Sequence, residues 1–365
     1  MSLARAISLA VEKQEVPASV LEAAFDEVAA GAASPVQIAA LLVALRTKGE
    51  SARELAAVAR ALRRHAETVP LADARTVDTC GTGGDGSGSF NISTIAAFVV
   101  AGAGVPVAKH GNRAATSRCG SFDLLEALGV HGDLPIPIAS RLLGELGIAP
   151  FFARRAHPAM RFVAPVRAEL PHRTLMNAMG PLLSPVGARR QLIGVYAREL
   201  VPTLAEVLRE LGSERALVVH GEDGLDEITT TDATHAAWLA GERVQSLRIE
   251  PEALGVARAR PEALRGGDAQ ENARIARAVL DGEAGAPLDI VLVNAGAALW
   301  VAAAAPDLRA GVALARESIA SGAAKAKLAA LAAATQAAAQ AAAQAPDQAA
   351  AQAAAQPSDR AAGRA

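Results

Sequence analysis

Five glycines occupy the eight positions from Gly81 to Gly88, and this segment is the part of the sequence best suited to hold an anion. It follows a short β-branched run and precedes an apolar, helix-like run that begins near Asn91, Ser93 and Thr94. Glycine loses more conformational freedom on folding than any other residue, so such a cluster indicates a sharp bend or a ligand close to the backbone. Backbone N–H groups in a glycine-rich loop at a helix N-terminus are typical of phosphate sites.

Two common phosphate motifs do not fit this loop. Gly81 to Gly86 matches the GxGxxG dinucleotide pattern, but that motif also needs an acid about twenty residues further on. Here the second predicted strand ends at Lys109 and His110 instead. The Walker pattern fails because Ser87, and not a lysine, follows Gly86. A dinucleotide-dependent oxidoreductase is therefore the least favoured interpretation, and a flexible Gly/Ser turn is the simplest non-functional one.

A second loop rich in hydrogen-bond donors follows the strand-like run "VPVAKHG". Loops after adjacent parallel strands reach the same edge of a sheet, so both loops are expected to face one crevice. A single loop of this kind is often only a solvated turn, whereas two at neighbouring strand ends favour a binding site. The donors of the second loop are Lys109, Asn112, Arg113, Thr116, Ser117 and Ser121.

Asp226 and Glu227 follow a third strand-like run, "RALVVHG". Adjacent carboxylates are most often surface charge. Beside two phosphate loops, however, they become candidate ligands for Mg²⁺, which prefers oxygen donors and bridges phosphates. The Ser93 hydroxyl could supply a further oxygen.

Arg161, Arg167 and Arg173 are spaced six residues apart in a segment rich in proline. A guanidinium held stiffly by neighbouring proline suits two-point recognition of a carboxylate or phosphate. For Arg161, ordinary surface exposure is an equally good interpretation.

The helices and strands predicted around these residues indicate an α/β fold. It has a small all-helical domain and a larger α/β domain around a mainly parallel sheet. Residues 1 to about 70 have helical periodicity, with Ser34-Pro35 and Ser51-Glu54 as helix starts. Strands and helices then alternate, which indicates a sheet covered on both faces. The predicted strands are "RTVDTCG", "VPVAKHG", "RALVVHG" and "LDIVLVN", and the predicted helices are "TIAAFVVAGAG" and "FDLLEALG".

The predicted domain organisation has three parts. The helical domain covers residues 1–72 with a returning segment at about 168–190, and the α/β domain covers 73–167 and 191–330. Residues 331–365 form an Ala/Gln-rich tail, expected to be partly helical or disordered, broken at Pro346 and Pro357, with little apolar bulk for docking.

Composition limits the classes of partner. The 365 residues carry a net charge of −2 and only 3 % aromatic residues, which argues against a nucleic-acid ligand. The apolar stretches are too short to span a membrane, and the N-terminus does not resemble a signal peptide. The two cysteines, Cys80 and Cys119, form no disulfide framework, which favours the cytoplasm.

Four motifs together resemble the anthranilate phosphoribosyltransferase family, over residues 5 to about 330. They are "DTCGTGGDGSGSFNIST", "KHGNRAATSRCGSFDLLEALG", "HPAMRFVAPVRAELPHRTLMNAMGPLLSP" and "HGEDGLDEITT". The resemblance implies a homodimer that associates through the helical domains. It also implies transfer of phosphoribose from phosphoribosyl pyrophosphate to the amine of anthranilate, in tryptophan biosynthesis.

The resemblance also implies roles for individual residues, with Lys109 and Arg167 as the catalytic pair. Anthranilate would contact Gly81, Asn112 and Arg167, and Mg²⁺ would bind Ser93, Asp226 and Glu227. Phosphoribosyl pyrophosphate would contact Gly81, Gly84, Asp85, Ser89, Asn91, Ile92, Ser93, Thr94, Lys109, His110, Gly111, Asn112, Arg113, Ala114, Ala115, Thr116, Ser117 and Ser121.

Three residues depart from the family pattern. Phe162 replaces a common His and Ser184 replaces an Asn, both beside the expected acceptor channel, while Phe122 replaces a small residue next to Ser121. Two alternatives remain open: a pyrimidine nucleoside phosphorylase of the same fold, and a non-enzymatic, nucleic-acid-binding paralogue. The residues before Gly81, Asp78-Thr79-Cys80, differ from the Lys-His-Ser of the phosphorylases.

Overall fold

A computed structural model of the chain describes residues 2–114 and 118–355, with residues 342–355 described by their backbone alone. The helices of the N-terminal part are α1 Ser2–Val11, α2 Ala18–Ala29, α3 Pro35–Lys48 and α4 Ala52–Arg64. The strands are β1 Val77–Asp78, β2 Val107–Gly111, β3 Ile148–Phe152, β4 Arg190–Gly194, β5 Arg215–Gly221, β6 Thr234–Ala240 and β7 Arg243–Ile249. The other helices are α5 Ile92–Gly102, α6 Ser121–Ala127, α7 Ile136–Leu146, α8 Ala153–Ala156, α9 Ala164–Glu169, α10 Met176–Met179, α11 Leu200–Glu210, α12 Ala269–Leu280, α13 Ala286–Val301, α14 Leu308–Ala320 and α15 Ala323–Ala355. Short 3₁₀ helices cover Pro158–Phe162, Gly180–Leu183, Pro251–Leu254 and Pro261–Leu264.

The N-terminal helices form the predicted helical lobe, and its predicted caps are confirmed. The Ser34 side chain accepts from the Gln37 N–H, and the Ser51 side chain accepts from the Glu54 N–H, each in a reciprocal capping box. Val163 and Val166, just before the predicted returning segment, lie in the same buried apolar cluster as the N-terminal helices, and this cluster also includes residues of β4, β5 and α11.

A seven-stranded sheet organises the larger lobe, in the order β3-β2-β1-β4-β5-β6-β7. The first five strands are mutually parallel, while β6 and β7 form an antiparallel extension. The mainly parallel sheet is therefore confirmed. Val77, Val107 and Leu192 face the core under α5 and α13, whereas Ile193 and Val218 face the helical lobe. The carboxyl ends of β1, β2, β4 and β5 meet at one edge.

The strand prediction for "LDIVLVN" is wrong, because these residues lie inside α13. Helix α13 is buried on nearly every side, from Leu288 to Leu299. A helix with no solvent-facing side lacks the regular polar residues that mark an amphipathic helix. Its sequence therefore cannot be distinguished by periodicity from that of a buried strand. Within the described residues, no helix is both long and apolar enough to cross a membrane.

The alanine-rich tail is more ordered than expected where it begins. Helix α15 continues through Pro346 to Ala355, and its Leu331 and Thr335 are fully buried. The Thr335 hydroxyl accepts from the His131 N–H at 3.0 Å, and the Gln336 amide donates to the Gly129 carbonyl at 2.9 Å. Leu331 packs in the same apolar cluster as α5 and α6, and these hydrogen bonds tie the start of the tail to the turn after α6.

Candidate active site

The glycine-rich loop follows β1 and leads into α5, as predicted. Four of its glycines, Gly83, Gly84, Gly86 and Gly88, have φ between +66° and +77°, the left-handed region that only glycine adopts easily. Gly81 is needed for a different reason. A Cβ there would lie 3.1 Å from the Gly194 carbonyl and 3.3 Å from the Asp226 carboxylate.

The predicted acid pair lies directly against this loop. Asp226 Oδ2 accepts from the Gly83 N–H at 2.8 Å, and the Asp226 N–H donates to Asp85 Oδ2 at 3.3 Å. Glu227 Oε1 accepts from the Ser93 N–H at the start of α5, at 3.1 Å. The structure therefore brings together the loop, the helix start and the two carboxylates that the sequence analysis placed in one site.

Two residues that the sequence analysis missed fix the position of the acid pair. A Cβ on Gly194, at the end of β4, would lie 1.5 Å from the Asp226 carbonyl oxygen, so only glycine permits this backbone approach. Asn294 of α13 accepts from the Ile228 N–H at 3.0 Å and donates to the Ile228 carbonyl at 2.9 Å. Asn294 was hidden in the segment misassigned as a strand.

The two acids are half-buried, and desolvation by the surrounding protein is the main cause that raises the pKa of each above its usual range. For Asp226, the neighbouring Asp85 and Glu227 carboxylates raise the pKa further; for Glu227, the positive charge of Lys109 opposes the rise. Neighbouring carboxylates that repel one another favour a bound cation.

The donor set fits Mg²⁺: two carboxylates and the Ser93 hydroxyl supply hard oxygen ligands. In the part of the chain that the structure describes, no group of three His, Cys, Asp or Glu residues forms a protein-only metal cage. An ion here would complete its coordination with water and substrate phosphate, as Mg²⁺ commonly does.

Lys109 lies beneath the loop and is only 4 % exposed. Its Nζ donates to the Thr79 carbonyl at 2.7 Å and to Ser93 Oγ at 3.3 Å. The ammonium group thus provides positive charge under the loop and beside Glu227.

His110 lies deeper than a phosphate ligand would. Its ring meets the His157 ring edge-to-face, with centroids 5.2 Å apart, and the His110 backbone N–H donates to Asp78 Oδ1 at 3.4 Å. Burial lowers the pKa of His110 to about 3 and of His157 to about 4, and raises the pKa of Asp78 to about 7. Both imidazoles are neutral at pH 7, so His110 adds no positive charge to a phosphate site.

The second loop is tied to the first. Asn91 Nδ2 donates to the Cys119 carbonyl at 3.1 Å, while its Oδ1 accepts from Asn272 at 2.9 Å. The Asn112 carbonyl accepts from Ser121 Oγ at 3.1 Å. Arg113 pairs with Glu126 at 2.5 Å and stacks on Phe152, so its guanidinium is engaged by this chain.

The remaining predicted contacts line the same edge. The Ala114 N–H donates to Asp123 Oδ2 at 2.8 Å, and the Ser89 N–H donates to Ser87 Oγ at 3.2 Å. Ile92 and Thr94 are buried in the first turn of α5, and Gly111 ends β2. Ala115, Thr116 and Ser117 lie outside the described residues.

Arg167 lies on α9 of the returning segment. Its side chain is reached by solvent and makes no hydrogen bond with a described residue. The surrounding protein atoms nevertheless lower the pKa of its guanidinium by desolvation. Access to solvent, a guanidinium without a protein partner and partial desolvation are typical of a cation that lines a cleft.

The three departures from the family pattern are mainly packing residues. The Phe162 ring packs directly against Gly31 of the helical lobe. A Cβ added at Gly31 would lie 2.6 Å from the nearest atom of this ring. Phe122 is fully buried and stacks on Phe152, with centroids 4.7 Å apart. Ser184 is buried, and its hydroxyl has no hydrogen-bond partner among the described residues.

Arg173, one of the three arginines spaced six residues apart, contacts the glycine loop, although the family resemblance implied no role for it. Its guanidinium donates to the Gly84 carbonyl and lies over the Tyr196 ring, 4.1 Å from the centroid. The spacing of the three arginines was a signal for it, but nothing in that spacing identified its partner.

Comparison with known proteins agrees with this geometry. Residues 73–325 match the α/β domain model of a glycosyl transferase family, and residues 5–66 match its helical bundle domain model. Anthranilate phosphoribosyltransferase from Rubrobacter xylanophilus is 55 % identical over 84 % of this chain and 90 % of its own length. The enzyme from Moorella thermoacetica is 51 % identical over 90 % of this chain and 96 % of its own length.

Solved structures give the same result. The crystal structure of anthranilate phosphoribosyltransferase from Thermus thermophilus has a TM-score of 0.86 at 44 % identity, covering 91 % of this chain and 99 % of that one. The Saccharomyces cerevisiae enzyme in complex with PRPP and Mg has a TM-score of 0.84 at 26 % identity, covering 92 % and 98 %. The chain described here belongs to the anthranilate phosphoribosyltransferase family.

Proposed function

We propose that this chain transfers the phosphoribosyl group of 5-phosphoribosyl 1-pyrophosphate to the amine of anthranilate. The products are N-(5-phosphoribosyl)anthranilate and pyrophosphate, in tryptophan biosynthesis. The observation that carries the proposal is the half-buried pair Asp226 and Glu227, hydrogen-bonded to the glycine loop at Gly83 and to the start of α5 at Ser93.

The donor is assigned to the carboxyl edge of β1, β2 and β5. N–H groups of the glycine loop and of the α5 N-terminus suit the phosphate oxygens. Asp226, Glu227 and the Ser93 hydroxyl would hold Mg²⁺, which when bound neutralises charge on the leaving pyrophosphate. A structure of the Saccharomyces cerevisiae relative was solved with PRPP and Mg, which supports this assignment.

In the reaction, the bond from ribose C1 to the pyrophosphate oxygen breaks and a bond from C1 to the anthranilate nitrogen forms. The amine then loses a proton to solvent, so no strong protein base is required. Lys109 contributes positive charge from below the loop, where its ammonium contacts Ser93. This is electrostatic stabilisation by a preorganised group.

The acceptor is assigned to Arg167, together with Asn112 and the Gly81 backbone. Arg167 has its guanidinium free of hydrogen bonds to described residues, so it can hold the anthranilate carboxylate at two points. Holding the carboxylate aims the amine at C1, which is catalysis by positioning. A Saccharomyces cerevisiae relative was solved with 4-fluoroanthranilate, an analogue of this acceptor.

We also propose that the chain acts as a cytoplasmic homodimer that associates through the helical lobe. Val11 of α1 and Val36 of α3 support the dimer, since they are 66 % and 78 % exposed. A partner's helical lobe packed against this one would remove both side chains from water.

The decisive experiment follows the loss of anthranilate fluorescence on addition of phosphoribosyl pyrophosphate, with and without Mg²⁺. We expect turnover that depends on the metal. Arg167→Ala should raise KM for anthranilate roughly 10- to 100-fold while changing KM for the donor by less than about threefold, since a charged hydrogen-bonding partner of one substrate is lost. An equal rise in KM for both substrates would contradict the role assigned to Arg167. Phosphorolysis of thymidine or uridine by the wild type would show instead that the chain is a nucleoside phosphorylase.

A further inference from the structure

The glycine loop is held at three consecutive residues by two segments that are distant in the chain. Asp226 accepts from the Gly83 N–H at 2.8 Å, and its own N–H donates to Asp85 Oδ2 at 3.3 Å. Arg173 donates to the Gly84 carbonyl, which lies between these two contacts in the sequence. Asp226 belongs to the α/β lobe, whereas Arg173 belongs to the segment that returns to the helical lobe.

The Arg173 guanidinium is itself oriented by Tyr196. The cation lies 4.1 Å from the ring centroid of this half-buried tyrosine, which fits a stacked cation–π contact. The Tyr196 N–H donates to Thr82 Oγ1 at 3.1 Å, and the Thr82 N–H donates to the Gly194 carbonyl at 2.9 Å. The aromatic ring that orients Arg173 is therefore attached to the same loop.

Holding the Gly84 carbonyl also fixes the next amide. Across a planar trans peptide, the Gly84 carbonyl and the Asp85 N–H point in opposite directions. The Asp85 N–H donates to no described residue. With its carbonyl turned to Arg173, this peptide directs a free N–H away from Arg173 and leaves it available to an anion.

We propose that Arg173 is a positioning residue that holds the Gly84–Asp85 peptide so that its N–H faces the donor's phosphate groups. Arg173 lies six residues after Arg167 on the same returning segment, so the segment that carries the acceptor's arginine also braces the donor's loop. This inference rests on the proposed function, because it takes the glycine loop as the donor site.

The kinetic test compares Arg173→Ala and Arg173→Lys with Arg161→Ala. Arg161 is a matched control, since it is an exposed arginine of the same segment that stacks on Phe162, 4.7 Å from the ring centroid, away from the loop. We expect Arg173→Ala to raise KM for phosphoribosyl pyrophosphate roughly 5- to 30-fold and to change kcat and KM for anthranilate by less than about threefold. Arg173→Lys should recover part of the loss, because lysine keeps the charge and a donor but not the planar stack. Arg161→Ala should leave all three constants unchanged.

A spectroscopic test does not depend on turnover. Tyr196 is the one tyrosine in the sequence, so labelling with 3-fluorotyrosine gives a single ¹⁹F resonance beside Arg173. Arg173→Ala should shift this resonance in the free protein, whereas Arg161→Ala should not. Addition of phosphoribosyl pyrophosphate with Mg²⁺ should shift it in the wild type, and at higher donor concentration in Arg173→Ala.

Two results would overturn the proposal. One is a rise in KM for anthranilate with KM for the donor unchanged, which would make Arg173 an acceptor contact. The other is a donor titration of the ¹⁹F resonance with the same midpoint in wild type and Arg173→Ala. If the wild type showed no transfer but bound the donor with the predicted shift in midpoint, the proposed function would fail while the role of Arg173 would stand.

Discussion

The donor and acceptor sides of the site are built in opposite ways. On the donor side, Lys109 is buried, Asp226 and Glu227 are half-buried, and all three are already hydrogen-bonded, to Thr79, the glycine loop and Ser93 respectively. On the acceptor side, Arg167 is exposed and its guanidinium makes no hydrogen bond with a described residue.

The difference follows from what each side must bind. The donor carries several phosphate charges and a metal, so its site needs many groups fixed in advance, and their mutual repulsion costs stability in the folded protein. The acceptor offers one carboxylate, for which a single accessible guanidinium suffices. We therefore expect changes on the donor side to disturb both folding and function, and changes on the acceptor side to disturb binding alone.

We expect the largest effect from Gly194→Ala, which displaces the acid pair on the donor side. The new Cβ would meet the Asp226 carbonyl at 1.5 Å, so the backbone that carries the acid pair must move. We expect kcat/KM to fall by more than about 100-fold and the unfolding free energy to fall by about 3 kcal/mol. Gly144→Ala is the control, because it lies inside α7 with open space around it and should stabilise the protein by about 1 kcal/mol. Wild-type donor affinity in Gly194→Ala would contradict the assigned role of the acid pair.

Asp78→Asn tests how much stability the donor side loses by burying a carboxylate that can ionise. Asp78 has a folded pKa of about 7 against 3.8 in the unfolded chain, so the folded state binds more protons between these pH values. Its contribution to stability is fully present below pH 3.8 and is lost as the pH rises to about 7, a change of about 4 kcal/mol.

The variant cannot ionise at this position, so its stability relative to the wild type should increase as the pH rises from 4 to 8. The opposite trend from the lowered pKa values of His110 and His157 is present in both proteins and cancels in the difference. Urea unfolding at several pH values measures this difference, with the exposed Asp281→Asn as control. A difference that does not vary with pH would show that Asp78 is ionised throughout.

The smallest expected effect is that of Arg167→Ala on stability. Because its guanidinium makes no hydrogen bond to described residues, we expect the unfolding free energy to change by less than about 0.5 kcal/mol. Arg63→Ala is the matched comparison, since Arg63 Nε donates to the Leu182 carbonyl at 2.8 Å and joins the helical lobe to the returning segment. Its loss should cost about 1–3 kcal/mol. Chemical denaturation of both variants measures the two changes in unfolding free energy. A large decrease in the unfolding free energy of Arg167→Ala would show that Arg167 is a structural residue.

Local patterns predicted much of this protein. The capping boxes at Ser34 and Ser51, the strands that end at Asp78 and Gly111, and the glycine loop before α5 all depend on residues close together in the chain. The parallel sheet then brings the loops to one edge, so a shared crevice could be inferred without coordinates.

The sequence by itself therefore determined which residue types gather at the edge of the sheet. Only the tertiary structure decided which atoms meet, as when Asp226 receives the Gly83 N–H from 143 residues away and Arg173 reaches Gly84 across 89. It also decided that "LDIVLVN" is helical and that α15 docks through Leu331. The physical reason is that these outcomes depend on packing between distant segments, and no periodicity of neighbouring residues encodes such packing.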